Sequence, residues 1–168
     1  MMIHVQRDDL AYAQGDALAW PVNAELRPIT PLLRRLEVAG GRALASQLRT
    51  RDSLPVGSAV VTAAGELAAE LLISAVIASD DEPVSRSGVR RALTSALQRA
   101  ADWQVGHLVC APFGLGAGNL DIDESAELML DVIARHCAQS RFPTDVTIVV
   151  ETDVEQESFA ARFMRGTR

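Results

Sequence analysis

Three closely spaced glycines stand out as residues able to do chemistry. Gly114, Gly116 and Gly118 lie in Pro112-Phe-Gly-Leu-Gly-Ala-Gly-Asn119, between a strand-like apolar run and a helical one. Lacking β-carbons, such a loop lets backbone N–H groups close on phosphate oxygens, and the helix N-terminus beyond it adds a favourable dipole. The pattern favours phosphate binding over a loop that merely needs left-handed backbone. It is not a dinucleotide fingerprint, because the third glycine would fall on Asn119, and the Gly-Lys-Ser/Thr of a Walker loop is absent. Two more polar groups follow apolar runs: Asp9, and Asn23 in Trp20-Pro-Val-Asn-Ala-Glu25. Taken singly, each suits a turn or a cap as well as a ligand, and the same holds for Glu25 and Asp80.

Other chemistries are excluded. All sixteen Lys+Arg positions are Arg, so Schiff-base and lysine-dependent phosphate mechanisms have no residue to run on. His4, His107 and His136 are far apart and have no second ligand type at metal spacing, so neither a metal nor a cofactor is expected. Cys110, in the apolar run His107-Leu-Val-Cys-Ala111, and Cys137, in a helical pattern, read as small buried hydrophobes. A net charge of −6 argues against a nucleic-acid partner. No apolar stretch approaches the ~18 residues of a membrane span, and the short apolar start is followed by charge, unlike a signal peptide. A cytoplasmic protein is the expectation, with 168 residues forming one domain over 1–168.

Strand and helix patterns must position the candidate residues. Ile3-His-Val-Gln-Arg7 alternates as a strand, and Ala17 to Val22 is a second, buried one ending in proline. Thr30-Pro31 reads as an N-cap and first helical residue, followed at helical spacing by Leu32, Leu33, Leu36 and Ala39. Gly40-Gly41 interrupts that helix, which resumes over 42–48. Two β-rich runs, 57–64 and 71–78, precede a helix carrying Val89, Ala92, Leu93, Ala96, Leu97 and Ala100. A strand over 107–111, a helix over 121–139 capped by Asp121 or Asp123, and a strand over 145–150 complete the alternation. Asp153 with Gln156 predicts a capping box for a last helix burying Phe159 and Phe163. This order predicts an α/β fold, a three-layer α/β/α sandwich with a mixed, mostly parallel sheet. In such folds the ligand crevice lies beyond the carboxyl ends of the strands. Asp9, Asn23 and the glycine loop all follow strands, so they are expected to converge there.

Taken in order, these segments resemble the macrodomain family. Asp9-Leu10 followed by Asp16-Ala-Leu-Ala-Trp-Pro-Val-Asn23 is similar to the family's Gly-Asp-Ile turn and Asp-Ala-Ile-Val-Asn-Ala-Ala-Asn strand. Leu54-Pro-Val-Gly-Ser-Ala-Val-Val-Thr62, Leu72-Ile-Ser-Ala-Val76 and Pro112 to Gly118 resemble later family motifs in the same order. The resemblance implies binding of ADP-ribose or a related nucleotide diphosphate, free or on an ADP-ribosylated protein. Asp9 would accept from the adenine amine with Leu10 beside it, and Asn23 would meet the distal ribose. Gly114, Leu115, Gly116, Ala117 and Gly118 would wrap the diphosphate, and 27–31 would form the first phosphate loop. Some members hydrolyse ADP-ribosyl esters or O-acetyl-ADP-ribose. Here Leu33 holds the position of an acid found in many hydrolases, although water activated by a substrate phosphate could act without one.

The pattern also departs from the family elsewhere. Asp8 replaces a glycine, Trp20 an asparagine, Ile29-Thr-Pro31 a glycine run, and Glu151-Thr152 a common stacking aromatic. Three functions follow: a binding module, an ester hydrolase, or a drifted pocket serving another ligand or a protein contact. Binding with little or no catalysis is the leading expectation.

Overall fold

The computed structural model describes residues 2–116 and 120–166. Six strands form one sheet: β1 (Met2–Arg7), β2 (Ala17–Asn23), β3 (Ala59–Ala63), β4 (Leu71–Ala78), β5 (His107–Cys110) and β6 (Asp145–Val150), in the order β1-β6-β5-β2-β4-β3. Only the β3–β4 pair is antiparallel; the other pairs are parallel. The carboxyl ends of β1, β2, β4, β5 and β6 therefore share one edge.

Alternation along each strand sends side chains into two core layers. Leu18, Trp20 and Val22 of β2, with Leu72 and Val76 of β4, face α1 (Pro31–Arg49), which buries Leu33, Leu36, Leu44 and Leu48 against them. Each of those leucines stabilises the fold by about 2 kcal/mol through burial. The opposite face presents Ala17, Ala19, Ile73, Ala75 and Ile77 to three helices: α2 (Arg86–Asp102), α3 (Ile122–Gln139) and α4 (Asp153–Gly166). One helix above and three below give the expected three layers.

Pro21 is tolerated inside β2 because of where β5 stops. The Ala19 carbonyl accepts from the Ala111 N–H, so alternate residues of β2 address β5. The register with β5 runs only from Ala17 to Ala19, and the missing donor of Pro21 comes one step later. Trp20, fully buried, donates its Nε1–H to Ser74 Oγ at 2.8 Å on the neighbouring strand.

The helix ends mostly follow the local sequence. Thr30 caps α1, its Oγ1 accepting from the Leu33 N–H at 3.3 Å, with Pro31 next. Gly41, at φ 88°, is the break within α1. Of the two candidates before α3, Asp121 is the cap, accepting from the Glu124 N–H at 2.8 Å. At α4 the expected Asp153–Gln156 box is replaced by a cap one residue earlier. Thr152 Oγ1 accepts from the Glu155 N–H at 3.1 Å, and Glu155 Oε2 accepts from the Glu151 N–H at 3.0 Å. Threonine takes the cap because its hydroxyl and carbonyl both meet first-turn donors, while Asp153 pairs with Arg7 at 2.8 Å.

Candidate functional site

Two adjoining hollows open near the carboxyl ends of β1, β5 and β6. The larger, about 220 Å³, lies between the start of α1, the loop after β5 and the end of β6. Thr30, Leu33, Leu115, Gly116, Glu151 and Glu155 are among its walls. The smaller, about 150 Å³, lies between the turn after β1 and α1, with Asp9, Leu10, Tyr12 and Arg35 in its lining. Leu32 lines both. Together they fall in the range of about 300–1,000 Å³ usual for small-molecule sites.

Asp9 caps a 3₁₀ turn, Leu10–Tyr12, formed as the chain leaves β1; its Oδ1 accepts from the Ala11 N–H at 3.0 Å. Leu10 beneath it is buried in the α1 layer. Asp8, where the family pattern has glycine, accepts from the Asp9 N–H through Oδ1 at 2.7 Å. This local hydrogen bonding fixes how the Asp9 backbone leaves the strand.

The two glycines of the described loop do different work. A β-carbon on Gly114 would lie 2.6 Å from Leu120 Cδ1 and 3.4 Å from Val89 Cγ2, so this residue lets the loop settle on the α2–α3 layer. Gly116, at φ 77°, faces the crevice, and a β-carbon there would meet only Thr30 Cγ2, at 3.4 Å. The second loop thus rests against the cap of α1. Leu115 pairs in a short bridge with Leu120 and also lines the crevice. Ala117 and Gly118 lie outside the described residues.

Asn23 closes β2 with a turn wound about its own side chain. Its Oδ1 accepts from the N–H groups of Glu25 and Arg27, each at 3.0 Å, and Leu26 takes φ 61° within that turn. Asn23 is not among the residues lining either hollow. Leu33, at the position where an acid was considered, is 3% exposed and packs with Leu18 and Trp20 in the α1 layer.

Sequence reasoning missed several crevice residues. Arg35, one turn into α1, reaches Glu151 beyond β6 with Nη2–O distances of 3.1 and 3.4 Å, joining the two hollows. Glu155 lines the larger hollow, but its carboxylate serves the start of α4. Tyr12 borders the smaller one. Arg35 and Tyr12 carry no motif; the only available signal was their spacing from Pro31 and Asp9.

Other reactive groups lie elsewhere. Burial pushes the Cys110 thiol up to about 12, leaving no thiolate at neutral pH. His107 Nε2 lies 2.8 Å from Thr147 Oγ1, and His136 Nε2 lies 2.9 Å from the Phe142 carbonyl oxygen. Among the described residues, no group of His, Cys, Asp and Glu could hold a metal ion. A hollow of about 460 Å³ between α2 and α3 has its charges already matched, Arg86 with Glu124 at 2.8 Å and Arg90 with Asp131. Hydrogen bonding from Arg90, joined by Arg135, holds Asp131 below the usual carboxylate range. No helix among the described residues is long and apolar enough to cross a membrane.

A six-stranded, mostly parallel sheet between one helix and three, with its crevice at the strand ends, is the macrodomain architecture. The Macro domain family model matches residues 21–129, and the chain belongs to that family. The Oceanobacillus iheyensis macrodomain with ADP superposes with a TM-score of 0.86 at 14% identity, covering 96% of this chain and 89% of that one. The Trypanosoma brucei macrodomain in complex with ADP-ribose superposes with a TM-score of 0.84 at 14% identity, covering 95% of this chain and 68% of that one. An uncharacterized Mycobacterium tuberculosis protein is 26% identical over 98% of this chain, which spans 45% of that protein's length. An uncharacterized Aquifex aeolicus protein is 26% identical over 96% of this chain and 95% of its own.

Proposed function

We propose that this chain binds ADP-ribose, or a related nucleotide diphosphate free or carried on a protein, across the two adjoining hollows. The observation that carries the reading is the approach of Gly116 to Thr30 at the head of α1, with the Asp9 hollow immediately beyond Leu32. Macrodomain neighbours with ADP or ADP-ribose bound support the same ligand class. In this reading Asp9 accepts from the adenine amine through Oδ2, because Oδ1 already serves Ala11, and Leu10 supports the base. The backbone of 114–118 meets the diphosphate. Asn23 lines neither hollow, so the distal ribose would have to extend beyond them to meet its side-chain amino group, the carbonyl oxygen being occupied by Glu25 and Arg27.

Hydrolysis is not part of the proposal. A side-chain base for hydrolysis would have to reach a water at the reacting carbon. Glu155 accepts from the Glu151 N–H, Glu151 is paired with Arg35, and Leu33 has no proton to exchange. Three features of the walls favour a second reading, a pocket suited to another ligand. Pro31 has no N–H, the Leu33 N–H is already spent on Thr30 Oγ1, and Glu151 and Glu155 add negative charge that Arg35 only partly offsets. Calorimetric titration with ADP-ribose, with AMP and NAD as controls, separates the two. Saturable heat with ADP-ribose, tighter than with AMP, is expected; a folded chain giving none would favour the second reading.

A further inference from the structure

We propose that Tyr12 is the base-stacking residue of this site, the ring against which the purine of a bound nucleotide lies. The inference rests on the binding reading above and names a residue that reading does not use. Asp9 is the extended cap of the 3₁₀ turn and Tyr12 its last residue, so one short turn carries both. The Tyr12 N–H donates to the Asp9 carbonyl at 3.1 Å, so the turn that aims the Asp9 carboxylate also fixes the tyrosine backbone. Both residues line the same hollow of about 150 Å³, and Tyr12 also borders a second hollow beside Gln14 and His107.

The remaining walls explain why a ring is needed. Leu10, Leu32, Leu36 and Ala39 supply the hollow's aliphatic carbon, but Leu10 and Leu36 are almost wholly buried and leave little apolar surface for a base to rest on. Besides these the hollow offers two flat groups, the Tyr12 ring and the Arg35 guanidinium, and Arg35 is drawn across to Glu151. Tyr12 is 74% exposed, among the most exposed large hydrophobic residues of the chain, so the core does not explain its placement. A carboxylate acceptor and an exposed aromatic ring suit a flat heterocycle bearing an exocyclic amine. Such a ring keeps its value whatever lies beyond the ribose, because stacking depends on the base alone.

Tyr12 is the one tyrosine of the chain, and the test substitutes it with Ala, Phe and Trp. Its exposure predicts that all three variants melt with the wild type. In titrations with ADP-ribose, Tyr12→Ala is expected to weaken binding roughly tenfold, and Tyr12→Phe to stay within about threefold of wild type. ADP-ribose should quench the new indole emission of Tyr12→Trp. Wild-type affinity in Tyr12→Ala, with an unquenched indole in Tyr12→Trp, would overturn the stacking role and leave nucleotide binding standing. A wild-type chain that takes up neither ADP-ribose nor AMP would overturn the binding reading, and the stacking role with it.

Discussion

Replacing Gly116 with glutamate puts a carboxylate at the mouth of the larger hollow, where the diphosphate is proposed to lie. Two costs follow, and they are separable. The backbone sits at φ 77°, which costs a residue with a β-carbon about 1–2 kcal/mol. Steric pressure adds little, since the new β-carbon meets only Thr30 Cγ2 at 3.4 Å. A domain of this size survives that loss, with a melting temperature lower by roughly 2–8 °C. The binding cost is electrostatic. A carboxylate about 4 Å from one phosphate charge is unfavourable by about 1 kcal/mol in bulk water, and by about 4 at an effective dielectric constant of 20. A diphosphate carries two such charges, so at least ~2 kcal/mol is lost, roughly thirtyfold in Kd. Calorimetry with ADP-ribose on wild type, Gly116→Ala and Gly116→Glu resolves the parts, because the alanine variant shares the backbone cost without the charge. A folded Gly116→Glu variant that binds as wild type does would refute the reasoning and make the loop purely structural.

Further outcomes follow from the same geometry. Gly114→Ala combines φ 83° with a β-carbon 2.6 Å from the end of the Leu120 side chain, which can turn aside, so it should destabilise by about 1–2 kcal/mol in a denaturant melt; a change under 0.5 would mean the loop yields freely. Turnover of O-acetyl-ADP-ribose or a mono-ADP-ribosylated glutamate peptide should be weak or absent. Robust turnover that collapses in Asn23→Ala would show a hydrolase instead. Cys110 should resist a thiol reagent in the native chain while half-buried Cys137 reacts, both labelling after unfolding. The Cys110 thiol stands near 12 when folded against an ordinary 9.0. Above pH 9 the unfolded chain releases this proton first, so that contribution to stability falls as pH rises towards 12; rising stability over that window would contradict it.

What could be read directly from the sequence was local. Thr30-Pro31 announces the start of α1 because cap and proline act within one turn, and Phe159 and Phe163 mark the inner face of α4 by spacing alone. The α4 cap was misplaced by one residue because Thr152 and Asp153 are both good caps. Asp153 is instead engaged by Arg7, a distant strand residue. The pairing of Trp20 with Ser74 spans two strands and has no sequence signature. The candidate site divides the same way. Asp9 and the glycine loop follow strands and could be nominated from position. Gly114 and Gly116 look equivalent in the chain, yet one packs on Leu120 and the other faces Thr30. Arg35 and Glu151 meet only because α1 lies over the end of β6, which the order of elements alone does not reveal.

The claim that the two hollows form one nucleotide site is tested most directly by amide chemical shifts of the 15N-labelled chain during titration with ADP-ribose. The account predicts saturable shifts concentrated at Leu10 to Tyr12, Leu32 to Arg35, Leu115, Gly116 and Glu151, with one common Kd. Shifts confined to the α2–α3 hollow, or none at millimolar ADP-ribose from a folded chain, would contradict it.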